Sequence, residues 1–233
     1  MKQLLLLITM FVTLASCDFT TGSGNIISED RSVKDFTELS VGGGFDVEIR
    51  IGAITQVKVE ADDNIMKYIE TDISGNTLKI RKESNHNFSD VHMKVFITVP
   101  VLTAIRASAS ADVVVQDVLV SKEKLTFKAS SSAEIKVDVD APEIDVDASS
   151  SATVTISGKT RVYKAQASSS ADIKSWDLLS ENATVNVSSS ASARVHASVS
   201  LKAKASSSAD VIYHGSASVD KSVSSSGSVR KED

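Results

Sequence analysis

Five carboxylates within ten residues form the densest group of chemically capable side chains in the sequence: Asp138, Asp140, Glu143, Asp145 and Asp147. Such carboxylates could hold Ca²⁺, or two of them could be the acid pair of a polysaccharide-cleaving enzyme. When neighbouring sequence repeats are aligned, however, Lys128 falls beside Asp147 and Lys164 beside Asp145. We therefore interpret the cluster as outward-facing charge pairs between strands.

Other side chains that catalyse reactions or bind metals lack the spacing that such sites need. The histidines are scattered at His86, His92, His196 and His214, with no His-x-x-x-His pair. Serine is abundant, yet no Gly-x-Ser-x-Gly motif marks an activated hydroxyl. We assign no catalytic residue, no metal site and no cofactor, and we expect a protein that is not an enzyme.

The serines belong to seven copies of the pattern Ala-Ser-Ser-Ser-Ala-x-Val. The copies are spaced by 18 to 22 residues and begin at Ala107, Ala129, Ala148, Ala167, Val187, Ala205 and Val223. Their first, fifth and seventh positions are small or apolar, whereas the second and fourth are always Ser. This period of two indicates β-strands with odd positions inward. By the same alternation the third position should also face inward, and we interpret it as a tight corner where only small side chains fit.

Stacking such units predicts an all-β fold, a right-handed parallel β-helix (β-solenoid) with coils of about 18–22 residues. Residues 25–100 lack the serine pattern but keep strand alternation, so we expect a β-rich part that opens and caps the stack. Residues 101–233 are expected to hold the repeats, continuous with 25–100 as one domain. Low aromatic content, 5% of residues, favours a narrow core.

The outward serines of the repeats form the candidate binding surface. On one extended strand, the second and fourth positions would be about 6.8 Å apart, and copies in adjacent coils about 4.8 Å apart. Such a flat lattice of hydroxyls could contact a glycan or an extracellular protein, although duplication of a small, turn-tolerant residue is the favoured explanation. The residues are Ser130, Ser132, Ser149, Ser151, Ser168, Ser170, Ser188, Ser190, Ser206 and Ser208.

The first residues have the features of a bacterial lipoprotein signal. Lys2 precedes a short apolar run, and Leu-Ala-Ser stands directly before Cys17, the single cysteine of the chain. We predict a signal peptide over residues 1–16 and a lipid-carrying Cys17, followed by a flexible tether to Gly24. The membrane is then a partner through the lipid. The net charge of −5, with no basic face, argues against nucleic acid.

Several short motifs resemble one family in their order along the chain. They are Gly24-Asn25-Ile26, Phe36-Thr37-Glu38-Leu39, the glycines before Phe45-Asp46-Val47, and the small-residue repeats. Together they are similar to the family called the putative auto-transporter adhesin head GIN domain. The resemblance implies an exported β-helical protein, often a lipoprotein, with adhesin as a conjectured role.

We therefore expect a membrane-anchored extracytoplasmic lipoprotein of the cell envelope, on the periplasmic or surface side of the outer membrane. Its expected role is binding or structural. A carbohydrate-active enzyme on a β-helix is the alternative, and a scaffold that stacks end to end is a third. The four charged residues that end the chain, 230–233, argue against end-to-end growth.

Overall fold

The computed structural model describes residues 19–84 and 86–232, and these form a β-solenoid with no α-helix. One 3₁₀ turn, Met66–Tyr68, interrupts the strands. The strands are β1 (Phe19–Thr21), β2 (Ile26–Asp30), β3 (Glu38–Gly42), β4 (Asp46–Ile51), β5 (Gln56–Asp62), β6 (Ile69–Ser74), β7 (Thr77–Lys82), β8 (Asn87–Ser89), β9 (Met93–Val99), β10 (Ala104–Ser108), β11 (Asp112–Val120), β12 (Leu125–Ala129), β13 (Glu134–Ala148), β14 (Thr153–Ala167), β15 (Asp172–Ser175), β16 (Leu178–Val187), β17 (Ser192–His196), β18 (Ser200–Ala205), β19 (Asp210–His214), β20 (Ser218–Val223) and β21 (Ser228–Lys231).

Each coil contributes one strand to each of two parallel stacks, which we call the first and second faces. The first face runs β7, β3, β10, β12, the end of β13, the end of β14, β16, β18 and β20. The second face runs β9, β4, β11, the start of β13, the start of β14, β15, β17, β19 and β21. The expected stacking of small coils is confirmed.

The two faces meet at a turn formed by the serine pattern. In all seven copies the third and fourth positions have positive φ, between 49° and 62°. The amide of Ala171 donates to the carbonyl of Ser168, as in a β-turn, and positive φ at both central residues makes it type I′. We call these turns the serine turns.

Backbone hydrogen bonds between coils continue through the serine turns. The amide of Ser170 donates to the carbonyl of Ser189 in the next coil, at 3.0 Å. Equivalent bonds start from Ser110, Ser132, Ser151, Ser190 and Ser208. The corner therefore belongs to the hydrogen-bonded stack, because each turn repeats the same backbone conformation one coil further along.

A related turn lies in register with the serine turns at residues 41–47, where glycines replace the serines. β3 and β4 pair with β10 and β11 so that Val41 stands opposite Ala107 and Val47 opposite Val113. Gly43 and Gly44 have φ of 109° and 75° at the third and fourth positions. The sequence Val-Gly-Gly-Gly-Phe-Asp-Val is therefore the first turn of the series, and its glycines adopt positive φ without steric cost.

In the first six copies, the core confirms the predicted register at the first, fifth and seventh positions, whereas Val223, which begins the seventh copy, is exposed. Ile135 and Ile173 are fully buried, whereas Glu134 is exposed. The fifth position forms a column of alanines with at most 1% exposure: Ala111, Ala133, Ala152, Ala171, Ala191 and Ala209. The coils can therefore close around a narrow core.

The third position lies at a tight corner, as predicted, but its expected inward direction is wrong. Ser131, Ser150, Ser169, Ser189 and Ser207 are exposed rather than inward. The type I′ turn places the third and fourth residues between the two strands, outside the core. Because two residues are inserted, the fifth position still faces inward, as the alternation predicted.

The N-terminal part of the stack departs from chain order and ends in antiparallel strands. The chain leaves the β3–β4 coil, forms β5 and β6, and then adds the β7–β9 coil beyond β3–β4. β6 pairs antiparallel with β7, while β5 pairs antiparallel with both β9 and β2. These strands close one end of the stack.

Residues 1–18 lie outside the described part of the chain, so the predicted signal peptide and Cys17 do too. From Phe19 onward the expected tether is held against the terminal coil. β1 pairs parallel with β8, and the carboxylate of Asp62 accepts a bond from the amide of Gly24 at 2.7 Å. Within the described residues, no helix has the length and hydropathy of a membrane span.

The serine turns generate a test of backbone strain. Replacing Ser169 by Gly should stabilise the protein by about 0.5–1 kcal/mol, because Gly adopts positive φ freely and Ser169 makes no side-chain hydrogen bond to a described residue. The matched change Ser168→Gly should destabilise it by about 0.5–1 kcal/mol, because φ there is not positive. Denaturant unfolding measures both. Equal losses in the two variants would contradict the turn assignment.

Candidate functional site: a polar groove beside the serine turns

The structure separates the two serine columns that the sequence analysis placed on one surface. Second-position serines are half-buried beside the first face: Ser130, Ser149, Ser168, Ser188 and Ser206. Fourth-position serines are exposed at the turns: Ser132, Ser151, Ser170, Ser190 and Ser208. Because the turn lies between the columns, they do not form the flat lattice of one extended strand. That geometric expectation is wrong.

The second-position column lines a groove that runs along the stack. The other wall is formed by the outward-facing residues that come directly before the glycine turn and the first six serine patterns: Ser40, Arg106, Lys128, Asp147, Gln166, Asn186 and Lys204. Two hollows of about 240 and 330 Å³ follow one another along it and share Asp147. We call this feature the groove. Seven stacked strands contribute to it, which corresponds to about 29 Å at 4.8 Å per strand.

The hydroxyls in the groove are free to bind a ligand. The structure gives Ser130, Ser149, Ser168, Ser188 and Ser206 no side-chain hydrogen bond to any other described residue. At one end of the column, Ser108 donates a long bond of 3.4 Å to the carbonyl of Val41. A hydroxyl that is both donor and acceptor, repeated along the stack, can recognise a polar ligand with a repeating structure.

The charges in the groove are sparse and mostly positive. Arg106 forms an ion pair with Glu38 at 2.7 Å. The hydrogen bond from Arg106 lowers the pKa of the Glu38 carboxyl below its ordinary value, although burial opposes this shift. Within the described residues, Lys128 and Lys204 make no ion pair, and Asp147 is the one carboxylate that lines the two hollows. The groove thus offers ammonium, amide and hydroxyl groups rather than a pair of carboxylates.

The carboxylate cluster around Glu143 lies away from the groove wall except for Asp147, and it forms ion pairs between coils. Lys164 contacts Glu143 at 2.9 Å and Lys159 contacts Asp140 at 3.1 Å. Lys164 stands opposite Asp145 in the register, as predicted, although its ammonium binds Glu143. In the described ranges, no three His, Cys, Asp or Glu side chains are placed to hold a metal ion.

Carboxylates also stack at the sixth position of the pattern, on the second face. Asp46, Asp112 and Glu134 stand opposite one another in successive strands. Burial, followed by the charges of Glu134 and Asp46, raises the pKa of the Asp112 carboxyl. Further along the column, Ser192 donates to the Asp172 carboxylate, so a hydroxyl replaces the next like charge.

Sequence reasoning missed a cluster of aromatic rings in the later coils. His196 and His214 stand opposite each other in β17 and β19, with ring centroids 4.8 Å apart. Trp176 stacks on His214 at 4.0 Å. The histidines are 18 residues apart, which is the spacing of the serine pattern there, so aligning them by coil would have paired them. Burial and the nearby His214 lower the pKa of His196.

The fold and the groove define a β-solenoid that offers an extended surface. The family model described as putative auto-transporter adhesin, head GIN domain, matches residues 35–217, and the chain belongs to this family. The matched range includes the glycine turn and six of the seven serine turns, whereas Gly24-Asn25-Ile26 lies before it. No curated protein matches the chain.

Solved structures share the fold over nearly the whole chain. A putative adhesin from Bacteroides fragilis is similar at a TM-score of 0.84 and 19% identity, covering 91% of this chain and 98% of its own. A putative adhesin from Parabacteroides merdae gives 0.73 and 17%, covering 93% and 100%. A putative lipid binding protein from Parabacteroides distasonis gives 0.72 and 21%, covering 93% and 100%.

Proposed function

We propose that the protein is a lipid-anchored binding protein of the bacterial cell envelope, at the outer membrane, and that its groove binds an extended glycan. The observation that carries the proposal is the column of unpartnered serine hydroxyls beside amide and ammonium side chains. Sugars present hydroxyl groups at regular intervals, and a groove of stacked strands presents donors and acceptors at regular intervals. The family, described as adhesins, supports a binding role at the envelope.

Binding without catalysis suits the chemistry of the groove. Glycoside hydrolysis generally needs two carboxylates that flank the scissile bond. Among the described residues that line the two hollows, Asp147 is the only one with a carboxylate. The described lining residues include no aromatic ring on which a sugar could stack. Recognition would therefore depend on hydrogen bonds, many of them weak, distributed along the groove.

The glycan proposal is tested by a matched pair of double variants. Asn186→Ala with Lys204→Ala removes two neighbouring groove side chains and should weaken binding by about 2.5 kcal/mol, roughly a 60-fold rise in Kd. Thr184→Ala with Lys202→Ala removes two outward side chains of the same strands, with the same change in charge, outside the groove. That control should bind normally.

The measurement is retention on a glycan array of polysaccharides from bacterial surfaces and host mucus, followed by titration of the best binder. Equal loss of binding in the two double variants would place the binding site elsewhere. Binding only to proteins in a parallel screen would overturn the glycan proposal.

The anchoring proposal has its own test. Two acyl chains on Cys17 would each contribute about 0.8 kcal/mol per buried methylene, which gives durable membrane binding. We expect Cys17→Ala to move the protein from the membrane fraction to the soluble fraction, with Thr20→Ala as a control that stays in the membrane. Mass spectrometry of the processed protein should show the added diacylglycerol. A processed Cys17→Ala protein that still floats with membranes would contradict the proposal.

A further inference from the structure

The end of the solenoid near the predicted lipid site carries a cluster of aromatic and basic side chains. Tyr68 lies 4.2 Å from His86 and 5.5 Å from Phe88, measured between ring centroids. The ammonium of Lys67 lies 4.9 Å from the centroid of Tyr68, and that of Lys82 lies 5.3 Å from Phe88. We call these five residues the aromatic cap.

The aromatic cap adjoins the first described residues. β1 pairs with β8, which places Phe19 opposite Asn87 and Thr20 opposite Phe88. The side chain of Phe19 is 61% exposed, so a large apolar ring lies at the surface beside the aromatic cap. The rings of the cap are half-buried, so part of each remains accessible.

The segment that leads to Cys17 is fixed to this end by several hydrogen bonds. The side-chain amide of Asn64 donates to the carbonyl of Thr21 at 2.8 Å, and the hydroxyl of Ser23 donates to Asp63 at 2.6 Å. The second carboxylate oxygen of Asp62 accepts a bond from the amide of His92 at 2.7 Å. Phe19 and the aromatic cap therefore share one rigid end of the molecule.

Chain length then limits the distance between this end and the membrane. Only Asp18 separates Cys17 from Phe19, so their Cα atoms can be at most about 7 Å apart. The headgroup layer of a bilayer is itself roughly 5–7 Å thick on each side. A lipid on Cys17 would thus bring Phe19 to the level of the headgroups.

We propose that the aromatic cap and Phe19 form a contact surface for phospholipid headgroups, which orients the solenoid on the membrane. This inference rests on the proposed anchoring through Cys17. Aromatic rings with a polar edge favour the interface between headgroups and acyl chains, and lysine ammonium groups reach the phosphates while their stems cover apolar surface. The coils then rise from the membrane with their later turns furthest from it.

The test uses the single cysteine to attach the protein to vesicles without the native lipid. The mature chain from Cys17 is coupled through its thiol to maleimide-bearing phosphatidylcholine vesicles, with or without brominated acyl chains. The reporter is Phe88→Trp in a Trp176→Phe background, with Phe19→Trp in the same background as a second reporter if the first fails to fold. The unaltered chain is the control, because Trp176 lies about five coils, or about 24 Å, from the cap coil.

We expect the indole at position 88 to shift its emission to shorter wavelength and to lose intensity on brominated vesicles. Trp176 of the unaltered chain should show neither change. Emission at positions 88 and 19 that is the same with and without bromine would overturn the contact surface, even if the native protein carries a lipid. Quenching of the coupled chain, together with a native Cys17 that carries no lipid, would support the surface and overturn only the anchoring proposal.

Discussion

The structure depends on hydrogen bonds that cross from coil to coil at the serine turns. A corner in a sheet normally interrupts the backbone hydrogen bonds between strands. Each buried amide left without an acceptor there would lower the free energy of unfolding. Here the type I′ geometry repeats in all seven serine turns, so the fourth-position amide of each of the first six bonds to a carbonyl of the next turn. The penalty is two non-glycine residues with positive φ in each serine turn.

This constraint explains the rest of the molecule. A repeated turn fixes the register of both faces, because the strands on either side must stack directly above their neighbours. The register in turn aligns the alanine column inside and the second-position serines outside. The groove is therefore a consequence of stacking, since identical side chains recur along it at the strand spacing. The antiparallel strands at one end and the aromatic cap terminate the series.

Much of this fold can be predicted from the sequence because two periodicities coincide. Apolar and polar residues that alternate with a period of two identify the strands, and the spacing of 18 to 22 residues identifies the coils. Ile135 and Glu134 could therefore be assigned correctly to the inner and outer sides of one strand. The third-position serines were wrongly assigned to the inner side, because a two-residue turn does not change which positions of the following strand face inward. Parity alone cannot distinguish an inward residue from one at the tip of such a turn.

The candidate site was harder to predict than the fold. The serine columns were visible in the sequence, but which of them faces a groove depends on the turn conformation rather than on residue type. The glycines at 42–44 were noted among the motifs of the family but not as a copy of the serine pattern, since glycine has no side chain to align. Phe19 lies beside the aromatic cap because β1 pairs with β8, and no local sequence pattern encodes that pairing.

Amide hydrogen exchange measures whether the hydrogen bonds between coils continue through the serine turns. The amides of Ser132, Ser151, Ser170 and Ser190 each bond to the next coil although their side chains are exposed. We expect slow exchange at these four positions and fast exchange at Ser226, whose amide donates to no carbonyl of the described residues. Fast exchange at all five amides would show that the turns are ordinary surface loops that do not take part in the hydrogen-bonded stack.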